Sequence, residues 1–273
     1  MVNNSILTNP GAFVALRNLE RTNQSLATTQ NRVSTGLKVT GAVDDASNFA
    51  IAQGIRGDIR ALGAVTQGLN NSKGIGNVAL AGATSISDLL QDIRQKLTEL
   101  SNQGITTQQR SILRDDFNAL VSQAANFVSN AVFNNINLLT GNTNVDTLSN
   151  LNGGTLRLSA QTNVGVQIRS IAAATNATAT NAQSVIANEY ANLESVMNTA
   201  LGTLGAEIRA LNFQTEFLAA VSDATEEGLG NIVDADMARE SAQLTALQVR
   251  QQLGVQVLNI ANQSPQVLLN LFG

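Results

Sequence analysis

The chain has 273 residues and a formal net charge of −4, with 43% hydrophobic but only 3% aromatic residues. It contains no histidine and no cysteine, which excludes histidine general bases, cysteine nucleophiles, disulfides and zinc sites built on either side chain. The apolar content is mostly Ala, Leu, Val and Ile, which suits thin helical packing, and the net acidity argues against nucleic acid as a partner.

Signals of catalysis and of membrane insertion are missing from the sequence. Neither a P-loop nor a Gly-x-Ser-x-Gly elbow occurs, so we expect no enzyme and no cofactor. No run of about 20 consecutive apolar residues is present, which predicts no membrane partner. The N-terminus lacks the basic and apolar regions of a secretory signal, so we expect any export to use another route.

Residues 1–41 have a heptad pattern and no charge before Arg17. Four apolar residues fall on a strict seven-residue spacing and two more support them: Ala12, Leu19, Leu26 and Val33, with Leu16 and Leu37. This pattern predicts a helix that needs a partner. The small polar residues around Gly36 and Gly41 predict a joint near residue 40, after which Asp44 and Asp45 offer an N-cap.

Residues 42–141 are predicted to form long helices of a rod domain. Apolar or small residues repeat every seven positions from Ile55 to Leu97, which predicts a helix from about Ala46 to about Ser101, roughly 80 Å long. The seam of this helix has two open interpretations, an intramolecular bundle core or a surface that also packs against other copies. A turn at 102–104 ends it, and Thr106 with Gln109 predicts a capping box for an antiparallel helix.

The segment 142–181 departs from the helical period and is predicted to contain short strands. Leu156 and Leu158 alternate with polar residues, and so do Val164, Val166 and Ile168, which predicts a β-hairpin that turns at 161–163. We expect 172–180, rich in Ala, Thr and Asn, to be an exposed connection.

The last two segments return to a helical period. Residues 182–230 predict a long helix that Gly228 to Asn231 breaks, and Asp234 and Asp236 are expected to open a terminal helix in 231–273. Beyond Arg250 there is no charge, and apolar residues lie on several faces, so this helix needs neighbours on several sides. The predicted positions on it are Leu253, Val257, Leu258, Ile260, Val267 and Leu271.

The two ends of the chain are expected to pair with each other. Residues 1–80 hold seven basic and four acidic side chains, whereas residues 181–273 hold three basic and ten acidic ones, so the two regions attract each other. Because both end helices also need apolar neighbours, we expect the twelve apolar positions named on them to form an assembly interface. The predicted fold is mainly α, with long antiparallel helices in a coiled-coil-like bundle and a small β-hairpin region at the distal end.

Several motifs resemble the signatures of bacterial flagellins. At the N-terminal end these are residues 5–9, Arg17-Asn18-Leu19, Val33-Ser34-Thr35-Gly36-Leu37-Lys38 and Ala42-x-Asp44-Asp45-Ala46. At the C-terminal end they are Ile232-x-Asp234-x-Asp236-x-Ala238-x-Glu240 and Ala261-Asn262-Gln263-x-Pro265-Gln266. The resemblance covers roughly 3–141 and 182–272 and identifies a short flagellin without large outer domains. It implies that 142–181 is the variable outer region.

This resemblance implies a structural subunit that self-polymerises into the extracellular flagellar filament, with its terminal helices forming the inner tube. It also implies cap and hook-junction proteins and an export chaperone as partners, and export without a cleaved signal peptide. Two alternatives remain open, a hook-filament junction protein and a secreted coiled-coil binding protein. Flagellins sensed by the flagellin-recognising Toll-like receptor share a Gln-Arg-x-Arg-Glu-Leu run, from which this chain departs at Asp92, Gln95 and Lys96.

Overall fold

A computed structural model describes residues 8–174 and 176–272, with side chains described through residue 263. Five long helices dominate this part of the chain: α1 (Pro10–Thr35), α2 (Ala46–Leu100), α3 (Thr107–Asn130), α6 (Ala191–Val233) and α7 (Met237–Phe272). Between α3 and α6 lie β1 (Val145–Leu148), β2 (Thr155–Leu158), α4 (Thr162–Ala173), α5 (Ala179–Val185) and a π-helical turn (Ile186–Tyr190). The predicted fold class, long helices with one small antiparallel hairpin, is confirmed.

The chain divides into two compact units. Among the described residues, the terminal unit consists of 8–57 and 224–272, and the central unit consists of 58–174 and 176–223. Each unit has its own buried apolar cluster. The large one belongs to the central unit, and a small one in the terminal unit joins Val39, Ala52 and Val233.

The heptad seam of α2 forms the core of the central unit. Buried positions alternate at spacings of three and four: Leu62, Val65, Leu69, Ser72, Gly76, Ala79, Ala83, Ile86, Leu90, Ile93, Leu97 and Leu100. They pack with buried residues of α3 and α6, such as Phe117 and Leu204. The intramolecular core therefore accounts for this seam, because each of these positions is covered by the same chain.

Local capping explains where two of these helices begin. Asp45 accepts a hydrogen bond from the Asn48 N–H at 3.0 Å, immediately before α2. Thr106 accepts from the Gln109 N–H at 3.3 Å, and the Gln109 side chain accepts in return from the Thr106 N–H at 2.8 Å. The predicted capping box is thus confirmed, and it satisfies amide donors that a helix N-terminus otherwise leaves free.

The predicted hairpin is only half right. Thr155–Leu158 is a strand, but it pairs with Val145–Leu148 through a turn at 149–154, with Gly153 at φ +87°. The predicted second strand is wrong, because residues 164–168 lie in α4. Val164 and Ile168 fit a strand period and a helix period equally, but burial of Ile171 with them adds a spacing of three that only a helix provides. The connection 172–180 is not simply exposed either, since Asn176 and Ala179 are 3% and 8% exposed.

The predicted helix break at Gly228–Asn231 is wrong as well, because α6 continues to Val233. A glycine in a helix interior costs up to ~1 kcal/mol, and here Leu229 and Ile232 pack against the small apolar cluster and offset that cost. The chain breaks instead at 234–236. There Asp236 accepts from the N–H groups of Ala238 and Arg239 and caps α7.

Candidate functional site

Helices α1 and α7 form an antiparallel pair. Three polar contacts fix its register along its length. Asn9 donates to the Ala261 carbonyl at 2.6 Å, Gln251 donates to the Asn23 side chain at 2.9 Å, and Arg32 pairs with Glu240 at 3.2 Å. As the residue number on α1 rises, the partner's number on α7 falls, so the two helices run in opposite directions for most of their length.

The surface between α1 and α7, here called the paired seam, has a regular pattern on both helices. Its positions are spaced by three and four and are less exposed than their neighbours. On α1 they are Ala12, Ala15, Leu19, Thr22, Leu26, Thr29 and Val33, and on α7 they are Glu240, Leu244, Leu247, Gln251, Gly254, Leu258 and Ala261. Such spacing is typical of coiled-coil packing.

Five of the predicted interface positions lie on the paired seam: Ala12, Leu19, Leu26, Val33 and Leu258. Leu37 lies beyond the end of α1 and packs against the small apolar cluster of the terminal unit. Sequence reasoning missed Ala15, Thr29, Leu247 and Gly254. The first two could have been found, because they lie three residues after the predicted heptad positions Ala12 and Leu26.

Gly254 shows why a small residue is needed on the paired seam. A Cβ built on it would lie 3.2 Å from Cδ1 of Leu19, which is tighter than ordinary van der Waals contact. The absence of a side chain therefore lets α7 approach the leucine on α1 closely.

Four other predicted positions lie off the paired seam and are exposed: Leu16, Leu253, Val257 and Ile260, at 42%, 54%, 54% and 68%. More apolar residues of the same helices are exposed with them: Phe13, Val14, Val249 and Val255. We call these eight residues the open faces of α1 and α7. The side chains of the predicted Val267 and Leu271 lie outside the described residues.

The open faces combine apolar surface with a scarcity of charge. From residue 251 to residue 263, α7 carries no charged side chain on any face, so enclosing this stretch would bury no charge. Exposed apolar patches on a helix otherwise rich in Gln and Asn mark surfaces that another molecule can cover. The arrangement is therefore suited to association and not to chemistry.

The joint between α1 and α2 carries carboxylates with structural roles. Asp44 accepts from the Thr40 hydroxyl at 2.6 Å and from the N–H groups of Thr40 and Gly41 at 3.0 and 3.2 Å. These hydrogen bonds, led by that of the Thr40 hydroxyl, favour the ionised form and lower the pKa of Asp44. The pKa of Asp45 is lowered mainly by the Asn48 N–H, which it caps.

The stretch that departs from the receptor-sensed run lies on α2 in the central unit. Asp92 and Gln95 are exposed, whereas Lys96 is partly buried and pairs with Glu99 at 3.2 Å and Asp116 at 3.6 Å. Hydrogen bonding to Glu99 is the main cause that raises the pKa of Lys96. The lysine is thus engaged within its own chain.

The described part of the chain holds neither a cluster of metal ligands nor a membrane-spanning helix. Within it, no three or more Asp, Glu, His or Cys side chains come together as a metal site would require. No helix among the described residues is both long enough and apolar enough to cross a membrane.

Comparison with known proteins matches nearly all of the sequence. A family model for the bacterial flagellin N-terminal helical region matches residues 6–144, and one for the C-terminal helical region matches residues 191–272. Flagellin FljK of Caulobacter vibrioides is 36% identical over 273 residues, which is all of both chains. A flagellin of Brucella melitensis is 36% identical over 280 residues, 98% of this chain and 99% of that one. The crystal structure of Bacillus cereus flagellin superposes with a TM-score of 0.49 at 16% identity, over 55% of this chain and 88% of that one.

Proposed function

Because this chain belongs to the bacterial flagellin family and is a structural subunit of the extracellular flagellar filament, we propose that the open faces of α1 and α7 are the surfaces through which copies pack. Flagellins self-polymerise, so each copy must present surfaces that fit other copies. The family match favours this role over the hook-filament junction protein and the secreted coiled-coil binding protein.

The observation that carries the proposal is the exposure of Ile260, Leu253 and Val257 on a face of α7 that lies beside the face already closed on α1. These residues are 68%, 54% and 54% exposed in a single chain. Burying a fully exposed Leu, Ile or Val side chain contributes about 1.5–3 kcal/mol, so several of them repeated along a polymer supply a large driving force. Packing among copies is the arrangement that covers all sides of α7.

Charge distribution supports the same role. A charge enclosed between packed helices without a partner costs several kcal/mol, whereas Asn and Gln can bond to neighbours or to water. The charge-free stretch 251–263 fits enclosure by many copies. The predicted positions Val267 and Leu271 extend the same pattern in sequence and belong to the proposed interface.

The thinness of the paired seam suggests when the helices become ordered. Its buried apolar members among the described residues are Ala15, Leu26 and Leu247, each still 7–8% exposed, and it also includes Thr22, Thr29 and Gln251. Helices in proteins owe most of their stability to the tertiary packing of their apolar faces. We therefore expect α1 and α7 to be stably helical in the filament and weakly protected in the free subunit.

The remaining parts of the proposed role follow from membership of the family. The filament must begin at a hook junction and end at a cap, so those proteins are the expected partners besides other copies, and an export chaperone is expected to hold the C-terminal helix. We also propose export without a cleaved signal peptide. The role is structural, and no catalytic step is assigned to the chain.

The test is the assembly of charge variants. Ile260→Asp and Leu253→Asp should each raise the critical concentration for polymerisation at least tenfold, because they place a carboxylate in a dry contact. Ile112→Asp, which changes an aliphatic residue on α3 that is as exposed as Leu253, is the matched control and should assemble normally. Sedimentation and electron microscopy measure the result. Normal filaments from both α7 variants would refute the proposed interface.

A further inference from the structure

The central unit carries an exposed aromatic pair that the proposed role of the terminal helices does not use. Phe213 and Phe217 are 67% and 60% exposed on α6, in a chain with only eight phenylalanines. Phe213 lies two residues after Leu211, which is 1% exposed, and thus about 200° around the helix from the core. Residues four apart lie one above the other, so the two rings form one continuous apolar ridge.

Two of the residues next to the rings on α6 are small and leave the rings uncovered. Ala210 and Ala220 flank them, and both alanines are exposed, so no large side chain covers the ridge from these positions. Arg209 lies one turn before Phe213 on the same row and is also exposed. The ridge therefore has two rings with a positive side chain one turn before them, and the exposed Glu216 lies to one side of it.

The same unit contains an apolar groove of about 720 Å³ between α2 and the hairpin. Its floor consists of small residues of α2, Ala61, Ala64 and Gly68, and its walls include Val145, Leu148 and Leu151. Leu148 and Leu151 are 51% and 43% exposed, so apolar surface there is open to solvent. The volume lies in the range of pockets that enclose drug-sized molecules, which leaves room for two phenyl rings.

Charge in the groove can complement charge at the Arg209 end of the ridge. None of the residues that line the groove is basic, and one of them, Asp146, is acidic. Asp146 already accepts from Arg157 at 2.8 Å, and its side chain is 44% exposed, so it can attract a second cation. Arg209 would provide that cation when the two rings occupy the groove.

We propose that the Phe213–Phe217 ridge of one copy inserts into the α2–hairpin groove of a second copy within the filament. Neither phenylalanine lines the groove of its own chain, so each copy keeps a free ridge and a free groove. A contact between two different patches can repeat without end, as a polymer requires. The proposal rests on self-polymerisation of the family and is independent of the open faces of α1 and α7.

The small area of the contact indicates that it forms between copies already held in the filament, and not between free molecules in solution. Each phenylalanine can bury about 150–250 Å², so two rings and their groove remove well under the 1,200–2,000 Å² that stable protein complexes bury. The ridge alone would not hold two molecules together in solution. It acts where other contacts already place the copies side by side, so the free subunit should stay monomeric.

Cysteine cross-linking tests the contact directly, because the chain has no cysteine of its own. Ala64→Cys and Phe217→Cys subunits are mixed, polymerised and oxidised, and their mixed dimer is measured on a non-reducing gel. Ala64→Cys mixed with Ile112→Cys is the control and should give at least tenfold less dimer. Equal dimer from both mixtures, or none from the first in intact filaments, would overturn the proposal.

A second variant keeps the test decisive if a cysteine variant fails to polymerise. Phe213→Ser/Phe217→Ser should melt like the wild-type subunit, because both rings are exposed, but its critical concentration should rise at least tenfold. Val166→Ser, which removes an apolar side chain that is 42% exposed on α4, should leave polymerisation unchanged. Because α1 and α7 are untouched here, a wild-type critical concentration would reject the ridge contact while leaving the terminal interface standing.

Discussion

Arg32 of α1 and Glu240 of α7 form an ion pair at 3.2 Å, in which the glutamate side chain is 11% exposed and the arginine side chain 33%. Glu240 lies in the first turn of α7, where a negative charge also favours the helix dipole. Its second carboxylate oxygen is buried without a hydrogen-bond partner, and so is Nε of Arg32. The pair therefore fixes the register of the two helices at the one point of the paired seam, among the described residues, where two charged side chains meet.

The two partners of this pair should not be equally sensitive to substitution. Arg32→Ala leaves a buried carboxylate uncompensated and should destabilise the α1–α7 pair by about 3 kcal/mol, whereas Glu240→Ala leaves an arginine that can reach water and should cost about 1 kcal/mol. Heat depolymerisation of filaments measures the difference. The double variant should lose less than the sum of the two single variants, and strict additivity would show that the pair is not coupled.

Acid should loosen the joint between α1 and α2. Hydrogen bonds led by the Thr40 hydroxyl lower the pKa of Asp44, so the ionised carboxylate stabilises the folded joint above its unfolded pKa of about 4. That stabilisation is lost as the pH falls through the lower folded pKa. Thr40→Val should raise the pKa of Asp44 towards its ordinary value, as followed by NMR titration, whereas Thr28→Val on α1 should leave it unchanged.

Two glycines of α2 should respond to alanine with opposite sign. At Gly82 an added Cβ would lie 2.9 Å from Cβ of Ala131 and 3.2 Å from Cδ1 of Leu139, so Gly82→Ala should destabilise the subunit by about 1–3 kcal/mol. At Gly63 nothing lies within 4 Å, and Gly63→Ala should stabilise it by up to ~1 kcal/mol. Urea unfolding of the free subunit measures both changes. A stabilised Gly82→Ala subunit would contradict the close packing of α2 against Ala131.

Recognition by the flagellin-sensing Toll-like receptor should be weak. Relative to the sensed run, Asp92 replaces a cation, Gln95 replaces an anion, and Lys96 replaces an apolar contact, so complementarity is lost at three neighbouring positions. The ion pairs of Lys96 with Glu99 and Asp116 also engage its charge within the chain. Asp92→Arg/Gln95→Glu/Lys96→Leu should raise the response to free subunit in a reporter-cell assay. A wild-type potency equal to that of a strongly sensed flagellin would contradict this expectation.

Much of the helical layout could be predicted from the sequence because its signals are local. The start of α2 follows from the side-chain cap of Asp45, and the start of α3 follows from the box of Thr106 and Gln109. The end of α1 follows from Gly36, which adopts a left-handed backbone conformation with φ +74°. Residues with a side chain rarely adopt this conformation. The seam of α2 followed from a heptad repeat that one continuous core can bury.

At two places the local sequence was compatible with more than one secondary structure, and tertiary contacts selected the one that forms. Val164 and Ile168 suit a strand or a helix, and packing with Ile171 selected the helix. Gly228 and Gly230 lie inside α6, because Leu229 and Ile232 gain more from the small apolar cluster than the glycines lose.

The orientation of α7 was the part of the candidate site that sequence alone left undetermined. Apolar residues occur on several faces of this helix. Two sets of positions are therefore equally regular: Leu253, Val257 and Ile260, and Gly254, Leu258 and Ala261. Contact between α1 and α7 chose the second set, because Gly254 admits Leu19 and Glu240 reaches Arg32 only in that rotation. The sequence by itself determined that α7 needs neighbours on several sides, and the tertiary structure decided which side its own chain covers, because rotation about a helix axis is set by shape and charge on the partner.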